Sequence, residues 1–183
     1  MRRDIYGIII VILASVLFAQ CSCEEERRRV EHKVIPRERL AELNRWMVQN
    51  DSIMIVHMCD SLGLDSIPDG RGIWRTIYYF GDPNAMAVDL KSRVSLSYVI
   101  SDFLSCDTFY ITKRNGVKEF DIVQNDEPLG LVEAIEGLHK GARGTVVLMP
   151  DKGYGLVGDG ERIRGRKIIR YDFELLDVKR VLN

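Results

Sequence analysis

The stretch Leu131 to Val178, LVEAIEGLHKGARGTVVLMPDKGYGLVGDGERIRGRKIIRYDFELLDV, decides the fold. Leu131, Ala134, Ile135 and Leu138 recur at helical spacing and Gly141 follows as a stop, so a short helix is expected over Leu131 to Lys140. Thr145 to Met149 is a largely apolar run closed by Pro150, the pattern of a buried strand. Gly153 to Gly165 is rich in glycine and charge and reads as a loop. Ile169, Tyr171, Phe173 and Leu175 then alternate with Arg170, Asp172 and Glu174, which makes a strand with one buried face.

Two other chemistries can be weighed within the same stretch. Gly153 to Gly158, GYGLVG, spells a glycine pattern used for dinucleotides. That use needs a helix directly afterwards, so that its N-terminus can hold the pyrophosphate. Asp159-Gly160-Glu161-Arg162 has no apolar periodicity, so the loop reading is preferred. Arg162, Arg164, Arg166, Lys167 and Arg170 cluster, but no aromatic residues interleave with the first four, and they read as a solvated flap. With 26 Lys and Arg against 27 Asp and Glu, the chain has no basic excess, and no nucleic-acid partner is expected.

Working upstream, Val94 to Ile100 reads as a strand with Leu96, Tyr98 and Ile100 on one face, and Trp74 to Phe80 as another. Gly81 to Asn84 separates them as a turn. Pro36 to Leu62 reads as helical: Leu40, Leu43 and Met47 share a face, as do Met54 and Met58, and Gly63 is the stop. Asn50-Asp51 leaves open a break into two helices. Hydrophobic residues make up 46% of the 183, enough for a core in one domain with a helical extension. His57, Cys59 and Asp60 lie together, but their spacing fits no standard metal site and reads as part of a helix. No metal and no cofactor are expected.

At the N-terminus, Arg2 and Arg3 precede an apolar run from Ile5 to Ala19, followed by Cys21, Ser22 and Cys23. The run is short for a membrane span, which takes about 20 residues. The pattern resembles a bacterial lipoprotein signal, with residues 1–20 as the signal peptide and Cys21 as the lipidated residue. Gln20 departs from the small residue usual before that cysteine, Cys23 is the alternative acceptor, and an uncleaved anchor helix is the alternative to both. Each version places the domain outside the cytoplasm, on a membrane of the bacterial cell envelope. Glu24-Glu25-Glu26 resembles the surface-export signal of some bacterial lipoproteins, which would imply display on the outer membrane surface. Once Cys21 is set aside, Cys23, Cys59 and Cys106 form no disulfide framework. The charged residues 21–35 are expected to be a tether.

The order helix, glycine, strand ending in proline, aromatic-glycine pair, flap and aromatic-Asp-hydrophobic-Glu-Leu strand resembles the C-terminal half of FKBP-type peptidyl-prolyl isomerases. Here it is carried by Gly141, Pro150, Tyr154-Gly155, the Leu156 to Lys167 loop and Tyr171-Asp172-Phe173-Glu174-Leu175. The match runs without a gap from about Gly130 to Val178 and extends more weakly through Val94, Leu96, Tyr98, Phe109 and Phe120. It implies an α+β fold, with a twisted antiparallel sheet wrapped around a short helix over residues 74–183, preceded by a helical extension at 36–63. In bacterial relatives such an extension often dimerises; packing onto its own domain is the alternative.

The resemblance also assigns roles. Tyr98 matches the wall tyrosine, Phe109 the wall phenylalanine, Tyr154 the tyrosine whose hydroxyl meets a substrate carbonyl, and Tyr171 the aromatic of the closing strand. Ile163 matches an apolar flap residue, and Phe120 lines the far side. Three positions depart from the family. Leu131 stands where the pocket floor is usually tryptophan, and Tyr110 where an aspartate follows the wall phenylalanine. Pro128 falls where a backbone N–H is usually donated, which passes that role to Leu129. The resemblance leaves two functions open. One is a membrane-anchored isomerase acting on proline-containing polypeptides during folding of exported proteins. The other is a non-catalytic FKBP-like module that binds envelope proteins or holds unfolded chains.

Overall fold

The computed structural model describes residues 36–65, 67–68, 70–112 and 116–181. The signal segment 1–20, Cys21 and the tether 21–35 lie outside the described residues. In chain order the elements are α1 (Arg37–Leu62), β1 (Ile67–Pro68), β2 (Ile73–Tyr79), β3 (Ser92–Asp102), β4 (Thr108–Ile111), β5 (Lys118–Asp121), α2 (Leu129–Ile135), β6 (Arg143–Leu148) and β7 (Ile169–Arg180). The strands form one antiparallel sheet in the order β1-β2-β6-β7-β3-β4, and β5 also pairs with β3.

Side-chain alternation gives this sheet two working faces. On β6, Val146 and Leu148 point into a core with Leu131, Ala134 and Ile135 of α2, together with Leu96, Ile100, Tyr171 and Leu175. Between them, Val147 points the other way, into a second core with Trp74, Phe103 and Ile168, where Ile55 and Cys59 of α1 dock. The alternation on β7 holds from Ile169 to Leu175 and then stops. Ser95 pairs with Asp177 but Leu96 with Leu175, so Leu176 is an extra residue, a bulge that resets the faces.

The first helix keeps to the span read from the sequence, whereas the second departs from it. The helix expected over Leu131 to Lys140 starts at Leu129 and ends at Ile135. Gly137, at φ +75°, turns the chain, and its N–H goes to the carbonyl of Val88, while Val88 N–H goes to Leu138 O. A neighbouring segment thus captures the backbone groups that would have continued the helix. The break left open at Asn50-Asp51 does not occur, since α1 runs 26 residues without interruption. Asp51 does not compete for the helix backbone because its carboxylate takes the guanidinium of Arg166 at 2.8 Å. The docked stripe of α1 is Asp51, Ile55 and Cys59, whereas Leu40 and Leu43 are exposed. The second half of α1 therefore packs onto its own domain. His57 and Asp60 are exposed while Cys59 is buried, so these neighbours face different surroundings.

On the outer edge of β3, β4 pairs with Val99 to Ser101 and β5 with Arg93 to Leu96. Between the two ladders a side chain does the work of a strand. Tyr98 N–H donates to Thr112 Oγ1 at 2.8 Å, and that hydroxyl donates to Tyr98 O at 3.1 Å.

Ile55 is fully buried between α1 and the sheet. Ile55→Ala is expected to lower the unfolding free energy by about 2–5 kcal/mol, read as a lower urea midpoint with unchanged slope.

Candidate functional site

A cavity of about 460 Å³ lies beside the Thr112 link, walled by Tyr98 and Ile100 of β3, Tyr110 of β4 and Tyr154. Lys118, Asp126, Glu127, Asp159 and Glu161 complete its polar lining. Strand alternation puts Tyr98 on the same face as Leu96 and Ile100, and its body packs on the main core while its hydroxyl reaches the cavity.

The tyrosines are held by one another. Tyr98 and Tyr171 meet edge to face, with ring centroids 5.5 Å apart and an interplanar angle of 80°. Tyr171 and Tyr154 join hydroxyl to hydroxyl at 2.9 Å. Tyr171 is wholly buried, and its hydroxyl is satisfied through Tyr154. With Tyr171 as donor, the proton of Tyr154 is free to point into the cavity. Tyr98 donates to Glu127 Oε1 at 3.3 Å, and Glu127, whose side chain is only 5% exposed, is neutralised by Lys118 at 3.2 Å.

Electrostatics keep these hydroxyls protonated. Burial pushes Tyr154 up to about 12, although the hydrogen bond from Tyr171 works the other way. Burial, then the Glu127 carboxylate, raise Tyr98, and burial raises Tyr171 well above the usual tyrosine range. At neutral pH the tyrosine hydroxyls of the cavity wall are neutral, with no phenolate among them.

The flap is tied down at both ends. Tyr110 donates to Asp159, the Arg162 guanidinium lies 5.3 Å over the Tyr110 ring, and Arg162 Nη1 donates to Phe109 O at 3.1 Å. Asp159 Oδ1 accepts the N–H groups of Glu161, Arg162 and Ile163 at 2.8–3.0 Å. A Cβ on Gly158 would lie 1.9 Å from Ile163 O, so only glycine permits this tight crossing. At the other end Arg166 pairs with Asp51 of α1, and Lys167 with Asp102 of β3.

No protein-family model matches the chain, and no curated protein matches it in sequence. Among solved structures it is similar to FkpA from Escherichia coli, with a TM-score of 0.62, 18% identity, and coverage of 79% of this chain and 66% of that one. It is also similar to the N-terminal domain of FKBP42 from Arabidopsis thaliana, with a TM-score of 0.56, 15% identity, and coverage of 63% of this chain and 92% of that one. The fold is FKBP-like. The chain spans just under two thirds of the length of the FkpA chain.

Within this FKBP-like frame the residues singled out from sequence fall into four groups. Tyr98 and Tyr154 line the cavity, with Tyr171 directly behind them. Phe109 is half-buried and packs on the main core, its carbonyl taken by Arg162. Phe120, Leu131 and Ile163 are buried in that core, Leu131 completely, and none of them lines the cavity. Leu129, 61% exposed, does not line it either.

Sequence reasoning missed Glu127 and Thr112.

Two measurements check this geometry. Tyr110→Phe removes one tie on the flap, worth about 1 kcal/mol. Amide exchange at Arg166, whose N–H goes to Gly155 O, is then expected to quicken about fivefold. The second is acid titration. Burial alone would raise Asp102, but Lys167 and the N–H groups of Leu104 and Ser105 outweigh it and hold its carboxyl below the usual range. Its stabilisation is therefore present at neutral pH and lost as pH falls through that depressed native value. Asp51 is raised, by burial first, despite Arg166. Its protonation in mild acid therefore favours the native state. Thermal unfolding should hold until the pH passes below the ordinary carboxylate range, and Asp102→Asn should flatten the subsequent fall.

Proposed function

We propose that the cavity binds prolyl segments of polypeptides and that the protein is a peptidyl-prolyl cis–trans isomerase. The observation that carries this reading is the Tyr154 hydroxyl, which is joined from behind to Tyr171 and stands in the cavity wall, where it can donate to a ligand when Tyr171 is the donor between them.

The reaction makes modest demands. A prolyl bond has a weakened trans preference but still faces a rotation barrier of about 18–20 kcal/mol. No nucleophile and no proton transfer are needed. Catalysis requires a surface that binds the twisted amide, whose carbonyl has lost its resonance, better than the planar one. Ile100 and the rings of Tyr98 and Tyr154 supply an apolar wall for the proline ring. Tyr154 O–H can hold the substrate carbonyl oxygen while the C–N bond turns, and its raised pKa keeps that proton in place. Tyr98, anchored by Glu127, keeps the wall rigid.

We further propose that Cys21 carries a lipid and that the domain works on the outer side of a bacterial membrane, on exported proteins or envelope partners. The apolar run Ile5 to Ala19, ahead of Cys21, supports this. The exposed Leu40, Leu43 and Trp46 on the free half of α1 support pairing with a second copy.

A second reading, binding without turnover, is favoured by the tie from Tyr110 and Arg162 to the flap, which closes one side of the cavity. Leu131 and Pro128, at the departures from the family pattern, point the same way.

Isomerisation of short Xaa-Pro peptides by the full chain decides between them. An isomerase accelerates the exchange, and Tyr154→Phe costs it on the order of tenfold, the loss of one hydrogen bond at the transition state. Peptide binding without acceleration leaves the binding module.

A further inference from the structure

The cavity carries a charge pattern that bond rotation does not use. Asp126, Glu127, Asp159 and Glu161 line it against one lining cation, Lys118. Lys118 already has a partner in Glu127. Asp159 accepts from Tyr110 and from three backbone N–H groups, which outweigh burial and keep it ionised. Asp126 and Glu161 line the cavity while remaining exposed to solvent.

The concentration is local, because the whole chain has a formal charge of only −1. It is also spread out. Among the described residues no three acidic or other ligating side chains gather closely enough to hold a metal ion. A row of carboxylates along an aromatic wall suits a long cationic side chain, whose methylenes lie on the rings while its charge moves among the carboxylates. Arg162 of the flap is engaged with the Tyr110 ring and Phe109 O.

Resting on the reading of this cavity as a prolyl site, we propose that its substrates are polypeptides with a lysine or arginine next to the proline. The apolar wall takes the ring, and the acidic rim selects the neighbour. Low-dielectric walls focus the field of such a rim, so the preference is strongest at low salt.

The test uses the full chain and labelled hexapeptides with a central proline flanked on either side by Lys, Ala or Glu, together with a Lys peptide lacking proline. Binding is read by fluorescence anisotropy at low and high salt, and its place by the NMR signals of Tyr98 and Tyr154. The Lys-Pro peptides are expected to bind roughly fivefold tighter than the Ala-Pro ones and more weakly with added salt. Asp126→Asn with Glu161→Gln should shrink that ratio towards one. Both residues are exposed, so this variant is expected to fold, and its circular dichroism checks that it does. Equal binding of all three proline peptides at the tyrosines overturns the charge preference and leaves the prolyl site standing. Equal binding of the proline-free Lys peptide there, or no shift of Tyr98 and Tyr154 with any peptide, overturns the prolyl reading and this proposal with it.

Discussion

Eleven paired positions join β3 to β7, from Ser92 opposite Arg180 to Asp102 opposite Ile169, and the rest of the domain is hung from this ladder. β6 and then β2 add on the β7 side, while β4 and β5 divide the free edge of β3. Burying Leu96, Ile100, Tyr171 and Leu175 on one face leaves a hydrophobic surface that needs a cover, and α2 provides it. The same ladder sets the site, because the Tyr98–Tyr171 contact is made between its two strands. The cavity is thus a by-product of the longest pairing in the fold rather than an addition to it.

How much of this the sequence discloses depends on the range of the interactions. β6 and β7 are legible because alternation records burial directly, and Tyr98 can be placed on the same face as Leu96 and Ile100 for the same reason. The end of α2 is not, since Gly137 gives its N–H to Val88, a residue nearly fifty positions away. The docked stripe of α1 escapes a reading by pattern because Leu40 and Leu43 are as apolar as Ile55, and only the sheet's second face selects among them. β1, with two residues, has too little pattern to read.

The site is less legible than the fold for a related reason. Tyr154 and Tyr171 can be found through family likeness, but Glu127 reaches Tyr98 across 29 residues, and Thr112 replaces a backbone partner with a hydroxyl. Such polar pairs leave no periodic trace. Burial identifies the apolar wall of a site like this one, whereas its hydrogen-bonded supports must be seen in place.

Two cores give the flap two separate footholds. Its tip, Leu156 and Val157, is 76% and 86% exposed, yet Ile163 sits in the core under α2 and Ile168 in the core under α1. The feet fix its path, and the tip contributes little to stability. Evolution can therefore rewrite those two positions, and with them whatever the flap first touches, while the glycine crossing and both anchors stay unchanged. Proteins that share this fold are expected to diverge there first.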